Sequence, residues 1–141
     1  MPITVTITRG IFTPDAEKEL IPKLSALMLE LHGMTGNKFM TPVVIGSLNI
    51  VSPEHIFSGG NPTPSVFIEW KVPSIGFGSQ KILNDYVKEA TDIAVELSKS
   101  KLTRKNIFVN VLYAVDGSWG VNGSAYTNAD LGAAIQADIA Y

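Results

Sequence analysis

The sequence predicts an α/β (α+β) chain in which the order strand–helix–strand occurs twice. Three observations carry this expectation. Residues 3–8 alternate strictly, Ile3, Val5 and Ile7 against Thr4, Thr6 and Thr8, with β-branched side chains suited to a pleated strand. Two long stretches repeat apolar residues at helical spacing. Segments 2–51 and 64–115 can be laid over one another, each opening with a proline and then running strand, helix, strand. The repeat is one of pattern, about 60 residues long, because the two halves share few side chains.

The elements follow in order. Arg9-Gly10 closes the first strand. Thr13-Pro14-Asp15 has the makings of a helix start: a capping hydroxyl, a proline at the first helical position, and acidic residues Asp15 and Glu17 near the positive end of the dipole. Leu20, Leu24, Leu27, Met28 and Leu31 trace its apolar face. Pro22 should kink this helix or mark a restart, since it lacks an N–H, and Gly33 and Gly36 should end it. Val43–Val51 reads as a second strand, mostly buried. The breaker-rich run Ser58–Pro64 divides the chain near its middle. Ser65–Val72 is a third strand and Pro73–Gly78 a loop. Ile82, Leu83, Tyr86, Val87, Ala90, Ile93, Ala94 and Leu97 mark a second long helix, and Ile107–Tyr113 a fourth strand. Asp116–Gly123 reads as turns. The tail, from about residue 125 to 141, holds a short helix between Asn128 and Ala140 through Leu131, Ile135 and Ile139.

Composition bounds the possible functions. The 141 residues fit a single domain, 1–141. Apolar residues make up 45% and charged residues 17%, below the usual charged share of about 25%. Such a chain can build a sizeable core and has surface to hide in an oligomer. The net charge is -2 with no basic block, which argues against nucleic acid as a partner. With no cysteine and two histidines, His32 and His55, thiolate chemistry and a histidine-rich metal centre are excluded. No signal-peptide pattern and no membrane-length apolar run is visible. The expectation is therefore a cytoplasmic protein with no membrane and no nucleic-acid partner.

Two architectures share this string of elements. One is the ferredoxin-like split βαβ, the commoner host of binding modules. The other is a tandem βαβ. Pattern alone favours the first, so particular residues have to decide.

Four features point to the second. The chain starts Met1-Pro2 directly before a strand. The mid-chain break reads His55-Ile-Phe57-Ser-Gly59-Gly60. The next loop reads Pro73-Ser-Ile75-Gly76-Phe-Gly78. The last core strand reads Ile107-Phe-Val-Asn110, followed by Trp119-Gly-Val-Asn122-Gly123. In order and spacing, over about residues 2–125, these resemble the tautomerase superfamily, in outline its migration inhibitory factor and cis-3-chloroacrylic acid dehalogenase groups. The resemblance implies a tandem β-α-β fold with two helices on a four-stranded mixed sheet, and a homotrimer with each site near a subunit boundary. It also implies a small-molecule substrate and no cofactor or metal.

It further implies that Pro2 is the catalytic base once Met1 is trimmed. A free α-amino group titrates near pH 7.7–8.0, and burial lowers an amine by disfavouring its charged form. A neutral secondary amine can take a proton beside a carbonyl and return it elsewhere. If Met1 is kept, Pro2 is an amide nitrogen and cannot be a base.

Proton abstraction puts negative charge on the carbonyl oxygen, which then needs donors. Carried over from the migration inhibitory factor pattern, these fall on Lys38, the Ile75 N–H and Asn110. Lys38 also reads as a solvated loop lysine, and Asn110 as a strand residue bonded to a loop. Two departures matter. Phe108 stands where that group has a tyrosine, which leaves an aromatic wall without a phenol donor. No arginine occupies the loop Pro73–Gly76, which opposes two-arginine recognition of a dicarboxylate. His32 aligns with the histidine of the dehalogenase group, where it would help activate water. The dipole also favours a histidine at the end of a helix with no catalysis at all, and that is the reading preferred for it. Val121 stands where that group has a glutamate. Trp70 and Trp119 read as core or interface.

The expected function is a keto–enol tautomerase with Pro2 and Asn110 catalytic and with Lys38, Ile75, Phe108 and His32 binding substrate. A hydratase, dehalogenase or decarboxylase on the same fold, and a non-catalytic binding module, are the competing expectations.

Overall fold

The structure, a computed structural model, describes residues Met1–Tyr141. Strand β1 (Pro2–Thr8) leads into helix α1 (Pro14–Leu31), a short turn of helix α2 (Met40–Val43) and strand β2 (Ile45–Val51). A small hairpin, β3 (Phe57–Ser58) and β4 (Asn61–Pro62), fills the mid-chain break. Strand β5 (Val66–Pro73), helix α3 (Gln80–Leu97) and strand β6 (Ile107–Ala114) repeat the opening unit. Hairpin β7 (Trp119–Val121) and β8 (Ser124–Tyr126), then helix α4 (Asn128–Ala137), complete the chain.

The main sheet has the order β2-β1-β5-β6. Each unit's two strands are direct parallel neighbours, and the units join antiparallel through β1 and β5. This adjacency decides between the two architectures. A split βαβ inserts another strand between the parallel pair, whereas here Pro2–Thr8 pairs straight onto Ile45–Val51. The tandem arrangement on a four-stranded mixed sheet is the one observed.

The alternation in β1 turns Ile3, Val5 and Ile7 to the helix side, beside Val66, Ile68, Trp70 and Val72 of β5, and all are buried. Leu20, Leu24 and Met28 of α1 and Tyr86, Ala90 and Ala94 of α3 close over them. Each such large side chain contributes roughly 1.5–3 kcal/mol by leaving water. The Thr13 hydroxyl caps α1 by accepting from the Ala16 N–H at 3.2 Å. Pro22 does not break the helix, which runs unbroken through it. Pro22 and Lys18, whose carbonyl loses its helical partner, both lie on the exposed side, where water can replace the missing bond.

Three sequence expectations need correction. Residues 43–51 are not a mostly buried strand. Strand β2 is a sheet edge with Ile45 59% exposed and Ile50 38% exposed. An apolar run signals burial but not by what. The segment 116–123 is more than turns. Asn122 and Gly123, with φ of 48° and 76°, form the tight link of the β7–β8 hairpin. The mid-chain breaker run forms its own short hairpin.

The other sheet face carries no helix. Thr4 and Thr6, Phe67 and Glu69, Phe108, Asn110 and Leu112 lie on it by register. Phe108 and Phe67 stack there with centroids 5.5 Å apart. No helix is long and apolar enough to cross a membrane.

Candidate active site

The start of β1, the end of β5 and the end of β6 meet at one end of the sheet, where the β7–β8 hairpin folds over them. They enclose a cavity of about 610 Å³ whose lining includes Met1, Pro2, Ile45, Lys71, Leu112, Tyr113, Trp119 and Val121. A second, smaller cavity of about 80 Å³ lies against it, lined by Met1, His32, Met34, Ile75 and Leu131 among others. Met1 borders both cavities, and its side chain is buried at 5% exposure.

The chain-start amine sits at this junction and donates to the Val43 carbonyl. Burial pushes it from 8.0 down to about 5, because the apolar surroundings penalise the ammonium form. Strand pairing holds the position, since Pro2 is in register with Ile45.

The predicted residues divide into three groups. Ile75 lines the smaller cavity, in the loop after β5. No backbone or side-chain acceptor in the chain takes up its N–H; the loop's closing bond is instead Gly76 N–H to the Pro73 carbonyl, at 2.8 Å. The Ile75 N–H is thus left without a partner in the chain, in a loop that lines the cavity Met1 also borders.

His32 lines the same cavity but has no free nitrogen. Its Nδ1–H donates to the Met28 carbonyl at 2.7 Å, and its Nε2 accepts from the Phe77 N–H at 3.0 Å. These partners match the tautomer that carries its N–H on Nδ1. The ring also meets the Phe77 ring edge-on, with centroids 4.9 Å apart. His32 therefore joins the end of α1 to the loop that carries Ile75.

Lys38, Asn110 and Phe108 do not gather at Pro2 within one chain. Lys38 is exposed and lines neither cavity, and its N–H donates to Asp138 Oδ1 at 2.6 Å, tying its loop to the end of α4. Asn110 sits on β6 opposite Glu69, two strands from β1, and faces a separate shallow groove with Arg104 and Tyr113. Phe108 is 44% exposed on the uncovered sheet face.

The cavity also brings in Lys71 and Tyr113, to which the sequence reading gave no role, and Trp119, which it read as core or interface. All three line it with Pro2. For Lys71 the signal was present: a lysine inside a strand, alternating with buried Trp70 and Val72, must face away from the core. Nothing local to residue 71 reveals that it shares a cavity with Pro2.

No protein-family model matches this chain, and no curated protein matches it in sequence. Solved structures do match its fold. A fused 4-OT, solved as a wild-type symmetric trimer, has 14% identity and a TM-score of 0.77, over 94% of this chain and 99% of that one. N1, a member of the cis-3-chloroacrylic acid dehalogenase family, has 14% identity and a TM-score of 0.73, over 89% and 83%. A macrophage migration inhibitory factor homologue from Prochlorococcus marinus has 21% identity and a TM-score of 0.68, over 89% and 99%. These neighbours are members of the tautomerase superfamily, and the chain has their fold.

Proposed function

We propose that this protein, once trimmed to begin at Pro2, is a cofactor-independent keto–enol tautomerase acting on a small 2-keto acid or aryl enol. One observation carries the reading: the first strand holds the chain start where two cavities meet, in surroundings dry enough to push an amine down to about 5. Removing Met1 turns the Pro2 nitrogen into a secondary amine at that point. It also vacates the space that the buried Met1 side chain fills.

The chemistry follows from a neutral amine. On an enol, Pro2 takes the hydroxyl proton, the C=O forms, and the resulting ammonium gives its proton to the adjacent carbon. On a keto acid the same steps run in reverse, so nothing is consumed. The Ile75 N–H is a free donor for the oxygen that carries charge in between. Asn110 and Phe108 would complete the site from a second copy in a homotrimer, the assembly of the fused 4-OT. His32 acts by holding the Ile75 loop. Lys38 lines neither cavity of its own chain, so a part for it in this site would likewise have to come from a second copy.

The hydration alternative asks His32 to activate water, and both of its nitrogens are already bonded to backbone. The binding-module alternative predicts no turnover by the trimmed protein. Intact mass establishes whether Met1 is gone. Absorbance then follows phenylenolpyruvate ketonisation by wild type and Pro2→Ala. The proposal expects a loss of about 10²-fold or more in kcat for Pro2→Ala. Equal rates in a protein shown to start at proline would sink it.

A further inference from the structure

We infer that Lys71 binds the substrate carboxylate, and that the substrate is a monocarboxylate whose remaining part is aromatic or apolar. The inference rests on the tautomerase reading for its reaction but not for its binding argument. Strand β1 pairs antiparallel with β5 through Ile3 and Trp70. One step further along that register, Lys71 stands across from Pro2. Trp70 is fully buried on the helix side, so the strand pleat turns Lys71 away from the core. Both residues line the larger cavity, and Lys71 is the one lysine or arginine that does so.

That cation has no partner. The ion pairs of the chain join Lys23 to Glu19, Lys81 to Asp85, and both Lys88 and Arg104 to Asp92. None involves Lys71, and no aspartate or glutamate lines the cavity. Its other walls include Ile45, Leu112, Tyr113 and Trp119. An ammonium beside apolar walls favours an anionic guest, because pairing offsets the desolvation of both charges. Adjacent strands lie about 4.8 Å apart. From the neighbouring strand, a flexible lysine stem can reach the carboxylate of a 2-keto acid whose carbon two bonds away meets the amine.

Charge arithmetic sets the specificity. One ammonium neutralises one carboxylate. A second carboxylate would find no second cation in the cavity, only the neutral donors of Tyr113, Ser118 and Asn122, which offset its desolvation less well. An aryl group in the same cavity finds three aromatic side chains, Tyr113, Trp119 and Tyr141.

The test is equilibrium binding, by calorimetry, of 3-phenylpropanoate and its neutral amide, neither of which can enolise to a 2-keto product. Trimmed wild type, Lys71→Met, Lys71→Arg and Pro2→Ala are compared. Wild type is expected to bind the acid at least about tenfold tighter than the amide. Lys71→Met should erase that preference and leave amide affinity unchanged, while Lys71→Arg keeps the preference. A preference that survives in Lys71→Met overturns the inference, as does wild type that binds the acid no better than the amide. Pro2→Ala should keep the preference while losing turnover. If Pro2→Ala turns over normally and Lys71→Met still loses the preference, the base assignment fails and the Lys71 inference stands.

Discussion

The backbone N–H of Phe77 donates to Nε2 of His32 at 3.0 Å, joining the end of the first helix to the loop after β5. Phe77 has φ of 50° and is buried, a backbone conformation that non-glycine residues seldom adopt and that needs support. His32 supplies part of it through this bond and an edge-on ring contact, and Tyr86 supplies a second ring contact at 5.3 Å. His32→Ala leaves the Phe77 N–H unbonded. We expect a loss of roughly 1–3 kcal/mol, read from the urea midpoint. The Ile75 loop should also loosen, so that kcat falls more than KM rises. An unchanged midpoint would show that the loop holds itself without His32.

The chain-start amine gives a pH signature in the form that keeps Met1. Its folded pKa of about 5 lies below its ordinary value of 8.0, so the unfolded chain binds more protons between those values. The stability from this group is complete above pH 8, falls as pH drops through the window, and levels off below pH 5. A difference of about three units at about 1.4 kcal/mol each sets the scale at ~4 kcal/mol. Acetylating the Met1 amine removes the proton site. The Tm of the free-amine protein should therefore drop more steeply from pH 8 to pH 5 than that of the acetylated protein. Parallel Tm profiles would contradict the burial of this amine.

The fold was largely legible because its signals are local. Alternation in residues 3–8 and the apolar spacing of Leu20, Leu24, Leu27 and Met28 specify which faces are buried without knowledge of any partner. Of the candidate site, Pro2 stood out by its place at the start of a strand and the Ile75 loop only through the family resemblance; the structure brings them to adjoining cavities. Lys71 becomes meaningful through the β1–β5 register, a pairing between residues far apart in sequence. The exposed edge strand failed for a related reason: Ile45 and Ile50 are apolar, but nothing in one chain covers them. The hairpin link Asn122-Gly123 carried a recognisable turn signal that the count of breakers obscured.

Trp70 and Tyr86 bind β5 to both long helices. The Trp70 indole N–H donates to the Tyr86 hydroxyl, which donates in turn to the Leu24 carbonyl at 3.4 Å. Both side chains are fully buried, and burial pushes the Tyr86 phenol well above its usual range. Tyr86→Phe keeps the ring packing and removes the acceptor. The buried indole N–H is then unsatisfied, which should cost roughly 1–3 kcal/mol. Chemical denaturation checks this, and a cost below about 0.5 kcal/mol would mean that water or another acceptor replaces the hydroxyl.

Gly46 shows why the edge strand lies so close to the first helix. A Cβ there would sit 2.5 Å from Ile21 Cγ2 and 2.7 Å from Ile3 Cγ2. Gly46→Ala must push α1 or β2 outward, at a cost of roughly 1–3 kcal/mol. Ile45, next in the chain, lines the cavity with Pro2, so the same change should also raise KM. A variant of unchanged stability would show that Ile21 can move aside freely.

Asn110 lies two strands from β1 and outside the Pro2 cavity of its own chain, so its proposed role requires a second copy. Subunit mixing tests this. Pro2→Ala and Asn110→Ala are each expected to lower kcat as homotrimers. On the proposed homotrimer, unfolding them together in equal amounts and refolding gives mixed trimers. A site that takes Pro2 from one subunit and Asn110 from its neighbour is intact in about a quarter of random pairings. Activity in the mixture should then rise toward a quarter of wild type. A site built within a single chain would stay at the level of the two variants however they are combined, and Asn110 would lose its place in the chemistry.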